Sequence, residues 1–482
     1  MAISMKNRKR SRLQRILGLS LALSIPLFSA GVFGLGQPQN LLTGYGKAEA
    51  YSRYSWSKYF TPRYTPTTTT PTTTTPTTTT PTTTTPTTTT PTTTTPTTTT
   101  PTTTTGTVVD VRNFGATGNG TTNDTAAIQA AINSLPTAGG TVVIPAGTYA
   151  IDALKTIQLK NNVTLQMTPS TILQVIPNAS DLYAVLNLGG VSNVKVNSGI
   201  LLGDRYTHKA TGGESGFGVA ILGSDQVTVT GTAANNMWGD GFIIDDGPGW
   251  GDSTKHSTNI QLVDISADNN RRQGISVISG QNISIIRPKL TNTNGTAPQA
   301  GIDVEPNDPT DVLQNIVITD AVTSGNLGSG ISLSLGALVG TTTPISITVN
   351  NHQDNGSNIG LDVSGGLGAI PGKVEINNST WTNSKTNGLQ IVGVDYRGFS
   401  TTVNNSTVVN AGNSQGMAIY NYDSTVLGNV HINNPTITRT SGNMTGAFYV
   451  ASNKAVQNIT IVQPILNGVS MGSITSGVSV TK

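Results

Sequence analysis

Along the latter part of the chain, apolar and polar residues alternate in short runs, and a glycine opens many of them. These runs are GVAIL at Gly218, GFIID at Gly241, GISVI at Gly274, GIDVE at Gly301, GISLS at Gly330, GLDVS at Gly360, GLQIV at Gly388, GMAIY at Gly416, GAFYV at Gly446 and GVSV at Gly477. Successive glycines are 23, 33, 27, 29, 30, 28, 28, 30 and 31 residues apart. Ahead of most of them stands a second alternating run: NVKV, QVTVTG, NIQLVDI, NISIIRP, NIVITDA, KVEINN, NVHINN or NITIVQP. Alternation with period two sends successive side chains to opposite faces, so each run predicts a short strand. Two or three strands per unit, a period near 29 and turns of Asn, Gly, Ser and Thr predict a parallel β-helix, coil stacked on coil. A β-propeller is the alternative, but its blades need about 40 to 50 residues. Asparagines at the turns are expected to hydrogen-bond along the stack.

Counted from each glycine, positions +1 and +3 are apolar: Val219 and Ile221, Phe242 and Ile244, Ile275 and Val277, Ile302 and Val304, Ile331 and Leu333. These are expected to face inward, which turns +2 and +4 outward. The outward pairs are Ala220 and Leu222, Ile243 and Asp245, Ser276 and Ile278, Asp303 and Glu305, Ser332 and Ser334, Asp362 and Ser364. Asp245 and Glu305 then share a column two coils apart, with backbones separated by roughly 10 Å at a coil spacing of about 4.8 Å. That range suits the carboxyl pair of an inverting glycosidase, about 6.5 to 9.5 Å apart, better than a retaining pair at about 5 Å.

The segment before the repeat reads differently. VVDVRNFGATGNGTTNDTAAIQAAINSLPTAGGTVVIPAGTY holds a strand, a glycine-rich loop, a helix from about Thr125 to Leu135 with Asp124 as its N-cap, and a further strand. GATGNG lacks the lysine of a phosphate loop, so this segment is expected to cap the open end of the solenoid. This stretch, with the coil repeat, resembles the N-terminal signature of the pectate-lyase-like superfamily, which includes polygalacturonase-like hydrolases, phage tailspikes and mannuronan epimerases. The resemblance implies an all-β right-handed parallel β-helix solenoid with a short N-terminal capping helix over residues 106–482, and several chemistries on one scaffold. The polygalacturonase GDD, GHG and RIK elements and the epimerase DPH element are missing; WGDG and RRQG stand here instead.

The remaining segments set the context. Residues 1–30 carry six Lys and Arg followed by ILGLSLALSIPLFSA, the pattern of a signal peptide, with an uncleaved membrane anchor as the alternative. Residues 31–65 are expected to be disordered. From Pro66 to Thr105 the unit PTTTT repeats eight times; without large apolar side chains it is expected to be a spacer, on the order of 120 Å long if fully extended as polyproline II. The chain has no cysteine, which excludes disulfides and thiolate chemistry. Its net charge of +3 comes from the N-terminal segments: 17 of the 27 bases and 23 of the 24 acids lie in 106–482, a net of −6. That balance excludes a basic nucleic-acid footprint. A secreted or cell-surface monomer is expected, with a polysaccharide as its partner and cell-envelope proximity through the N-terminal segment.

Charge concentrates in residues 204–311, which hold 13 of the 23 acids of the domain. Asp245, Asp303 and Glu305 are the candidate catalytic acid and base. Arg271 and Arg272, Trp238 and Asp240 approach the same columns and suit recognition of a sugar and its carboxylate. GDRYTHKATGGESG adds Arg205, His208 and Glu214, and DDGPGWGDSTKH adds Asp246 with Trp250, Asp252, Lys255 and His256. Hydrolysis of an acidic or plant-type polysaccharide is the leading expectation, without a cofactor. A lyase or C5-epimerase using His208, His256 or Lys255 as base is the second, and a non-catalytic glycan-binding or surface-display solenoid the third. Calcium held by Asp245, Asp246 and Asp252 is the one metal alternative.

Overall fold

The computed structural model describes residues 106–482 apart from 248–254, 367, 413–414 and 424. The leader, the 31–65 segment and the PTTTT spacer lie outside the described residues, as do Trp250 and Asp252. Three parallel sheets, of fourteen, thirteen and twelve strands, run the length of the domain, and successive coils add one strand to each. One coil, for example, contributes Asp225–Thr230 to the first sheet, Ala233–Asn235 to the second and Asp240–Asp245 to the third. A propeller would need separate four-stranded blades, so that alternative falls.

The glycine-led runs form the third sheet. Their +1 and +3 residues stack in register, Phe242 on Ile275 on Ile302 on Ile331 and Ile244 on Val277 on Val304 on Leu333, all fully buried. Each such side chain contributes about 1.5–3 kcal/mol by leaving water. Facing them, the first sheet supplies its own alternating residues, such as Ile260 and Leu262, Ile283 and Ile285, Ile316 and Ile318.

Close approach of adjacent coils accounts for the repeated glycine. A Cβ built on Gly241 would lie 2.7 Å from the carbonyl oxygen of Gly274; on Gly274, 2.4 Å from that of Gly301; on Gly301, 2.6 Å from that of Gly330. Coils come so near at this corner that only hydrogen fits. Those Cβ positions also point into the helix, toward Ala267 and Thr323. Glycine and its +1 neighbour therefore both face inward, and the residue before the glycine turns out to the side of +2 and +4. Two of the ten glycines stand elsewhere. Gly446 pairs with Gln415, so Ala447 takes the place beside Gly416, and Gly477 precedes Val478–Thr481, a strand of the first sheet.

Asparagines do stack at the turns. Asn377 donates to Asn350, Asn404 to Asn377 and Asn433 to Asn404 at 2.8–3.0 Å, while Asn378, Asn405 and Asn434, with φ of 51–52°, hold the left-handed corner residues beside them. At the N-terminal end the helix runs Thr125–Ser134 and buries Ile128, Ala131 and Ile132; Gln129 exchanges hydrogen bonds with the backbone of Gln158. Asp124 precedes it but does not cap it with its side chain. Its carboxylate instead accepts from the backbone N–H groups of Thr117 (2.8 Å) and Gly118 (3.1 Å), fastening the glycine-rich loop.

Candidate functional site

The outer face of the third sheet changes character along the stack. On early coils Leu182, Ala184, Phe217, Ala220, Leu222, Ile243 and Ile278 form a buried apolar cluster separate from the core. From Ser276 to Gln390 the +2 column is polar: Ser276, Asp303, Ser332, Asp362 and Gln390 follow one another in register.

Arg272 lies where the two surfaces meet. Its two terminal nitrogens fork onto both oxygens of Glu305, at 2.8 and 2.9 Å, and one of them also reaches Asp240 Oδ2 at 3.2 Å. Glu214 Oε2 lies 3.6 Å from its Nε. Gln273 Nε2 donates to Glu305 Oε1 at 2.7 Å and to Asp303 Oδ2 at 3.3 Å, and Ser276 Oγ donates to Asp240 Oδ2 at 2.8 Å. One guanidinium thus serves a cluster of four carboxyl groups. Burial pushes the Asp240 carboxyl up to about 7, against the opposing Arg272 charge and with Glu305 adding to the rise. Burial first, then Glu305, raises Asp303 well above the usual carboxylate range. Burial works against the charge of Arg272, but Glu305 and Asp240 outweigh it and hold the guanidinium protonated.

Several expectations need correction. Asp303 and Asp240 face outward yet are 1 % and 0 % exposed, because Gln273, Arg272 and the neighbouring columns close over them. The charged side chains of the cluster that reach solvent are Glu214, Glu305 and Arg272. Asp245 does share the +4 column with Ile278 and Glu305, but Glu305 leans away to Arg272 and Gln273. The acidic neighbours of Asp245 are Asp246 and Asp311, and burial followed by Asp246 raises its pKa. Of the three carboxyls expected to be catalytic, the structure brings together Asp303 and Glu305. They share one donor atom at 3.3 and 2.7 Å, so their nearest oxygens are no more than about 6 Å apart, nearer to the retaining than to the inverting range.

The flanking loop is occupied with its own packing. Asp204 accepts a short hydrogen bond from the Tyr183 hydroxyl and lies 2.9 Å from His208 Nδ1. The imidazole of His208 stacks on Trp238 with centroids 4.0 Å apart, and the Arg271 guanidinium sits 4.0 Å from the same ring. Both are too close to share one face, so the indole is sandwiched; it is 7 % exposed and its Nε1 donates to Gly212 O. Trp238 therefore offers no free face to a sugar, and the His208 side chain is fully buried. Arg271 donates to Gly213 O and Arg205 to Asn269 O and Asn294 Oδ1, which ties this loop across several coils. His256 Nδ1 lies 2.9 Å from Ser279 Oγ. Among the described residues no group of three His, Cys, Asp or Glu could hold a metal.

Sequence reading missed Gln273, Ser276 and Tyr183. The first carries a usable signal: it pairs with Asp240, one residue ahead of its glycine, a position that simple alternation places inside.

Residues 108–213 match the family described as Rhamnogalacturonase A/epimerase, pectate lyase-like. Two Bacillus subtilis (strain 168) proteins are similar: the uncharacterized YclG, 27 % identical over 271 residues, and the prophage-derived uncharacterized YorA, 24 % identical over 205. The alignments span 52 % and 37 % of this chain, and 46 % and 34 % of those relatives. Among solved structures, the Azotobacter vinelandii mannuronan C-5 epimerase AlgE4 A-module superposes with a TM-score of 0.64 at 20 % identity, covering 77 % of this chain and all of that module. The Yersinia enterocolitica family 28 exopolygalacturonase gives 0.57 at 16 % identity, covering 78 % of each chain. The described domain is accordingly a right-handed parallel β-helix, and residues 108–213 are similar to that pectate-lyase-like family.

Proposed function

We propose that this chain is an exported polysaccharide-active enzyme that hydrolyses glycosidic bonds, with Glu305 as the ionised carboxylate and Asp303 as the proton donor. The observation that carries the reading is the shared donor between them: Gln273 bridges a carboxylate paired with Arg272 and a buried carboxyl whose affinity for a proton is raised. Acid–base cleavage needs two carboxyls in opposite protonation states, and crowding with unequal burial supplies that difference. Once a bound sugar displaced the Gln273 and Arg272 side chains that cover it, Asp303 would protonate the leaving oxygen while Glu305 meets the developing positive charge at the anomeric carbon. Spacing under about 6 Å favours a covalent intermediate and net retention. Glu214 and Arg271 stand at the rim, where sugar hydroxyls or a uronate carboxylate would meet them.

Hydrolysis is better supported than proton abstraction at C5. Arg272 is already engaged by Glu305 and Asp240, and His208 is packed against Trp238 with its Nδ1 on Asp204. The basic, apolar leader supports action outside the cytoplasm.

The test is turnover on polygalacturonate, rhamnogalacturonan and alginate, read by reducing ends and by ultraviolet absorbance. Asp303→Asn and Glu305→Gln are each expected to lower reducing-end release by roughly 10²- to 10⁴-fold, and anomeric proton spectra to show retention. Full activity in both variants would sink this assignment, and unsaturated ends in place of new reducing ends would replace it with elimination.

A further inference from the structure

The two columns that carry Asp303 and Glu305 continue past the acids. In register, Asp303 is followed by Ser332, Asp362, Gln390, Ala418 and Tyr449. The +4 column runs from Ser334 through Ser364 and Val392 to Tyr420. Side chains between the acids and the tyrosines are short or neutral apart from Asp362, whose carboxyl burial pushes up to about 6 and which accepts from Gln390 at 2.9 Å. The strip ends in three aromatic rings: Tyr420 has its centroid 5.5 Å from that of Tyr422 and 6.5 Å from that of Tyr449. The hydroxyls of Tyr422 and Tyr449 lie 2.6 Å apart, and Tyr422 is 45 % exposed.

We infer that Tyr420, Tyr422 and Tyr449 form a glycan-binding platform that holds the same polysaccharide chain at a distance from the acids, the chain lying along the solenoid axis. The exposed Tyr422 and the half-buried Tyr420 and Tyr449 each present a flat apolar body with a polar tip, the combination that takes the C–H face of a pyranose while bonding its hydroxyls. Paired hydroxyls fix the orientation of two of the rings, so little side-chain freedom is lost on binding. Direction comes from the register. Tyr420 and Tyr449 stand four and five coils from the acids, roughly 19 to 24 Å at about 4.8 Å per coil. One pyranose spans about one coil spacing, so the strip accommodates on the order of four to five sugars. Low charge at this end suits stacking on sugar rings, whereas the Arg272 cluster supplies the charged contacts at the other end. The platform rests on the polysaccharide-binding part of the proposed function and not on its hydrolytic step.

Affinity electrophoresis of the full chain through gels containing polygalacturonate, rhamnogalacturonan or alginate tests this. The parent chain is expected to be retarded by at least one polymer. Tyr422→Ala with Tyr449→Ala should weaken that retardation about tenfold, while the corresponding Phe pair keeps most of it because the rings remain. The Ala pair should also leave cleavage of trisaccharides near the parent rate and slow cleavage of longer oligomers. Unchanged retardation in the Ala pair, with the parent melting temperature retained, overturns the platform, as does a parent chain that none of the polymers retards. Retardation that depends on the tyrosines without cleavage of any polymer would uphold the platform and reject hydrolysis.

Discussion

Asp240 shows how much the site depends on one residue's surroundings. Its carboxyl has no exposure, shares Arg272 with Glu305, and leaves Oδ1 without a hydrogen-bond partner among the described residues. A pKa raised from 3.8 to about 7 means that the folded state binds a proton that the unfolded state has released. The stability this contributes is complete below pH 3.8 and is lost as pH rises through 7, a change on the order of 4 kcal/mol. The urea midpoint of the parent chain should therefore fall between pH 5 and pH 8 more steeply than that of Asp240→Asn. An identical slope in the variant would show that Asp240 is already ionised at pH 5. Sequence reading reached Asp303, Glu305, Arg272 and Asp240 because charge is sparse on the other coils. It could not reach their burial or the bridge through Gln273, since a neutral amide carries no charge signal and its position ahead of the glycine reads as inward. Arg271 and Arg272 adjoin in sequence, yet one stacks on Trp238 and the other forks onto Glu305; backbone direction, not residue type, separates them.

At the scale of the element, the strand that begins at Gly301 is set by a contact that a methyl group would destroy. Gly301→Ala places Cβ 2.6 Å from the Gly330 carbonyl and 3.0 Å from Thr323. Overpacking against backbone costs about 1–3 kcal/mol. Thermal melting of Gly301→Ala should drop by several degrees, whereas Gly212→Ala, with no atom within 4 Å, should melt with the parent chain. Strands of the third sheet were legible because their glycines are dictated by this contact. The slip at Gly446 was not, because Ala447 fills the equivalent place without a glycine to mark it. Asp124 misled for a related reason: its position suits a helix cap, and only the folded loop brings the N–H groups of Thr117 and Gly118 within its reach.

Viewed as a whole molecule, the domain is one-dimensional: each coil rests on its two neighbours, and stability adds along the stack. Removing residues 388–415 would take out one complete coil and join Asn387 to Gly416 in the same phase. Such a chain is expected to fold, to cleave short oligomers at the parent rate, and to bring Tyr449 one coil closer to Asp303. The oligomer length at which the tyrosines begin to matter should then shorten by one sugar. Deleting a single residue within a strand should instead unfold the region around it, because every side chain beyond the cut changes face. In-register pairing thus acts as a grammar for change in length: whole coils can be added or removed like beads on a counting frame, and the distance between cutting and gripping is written in integers.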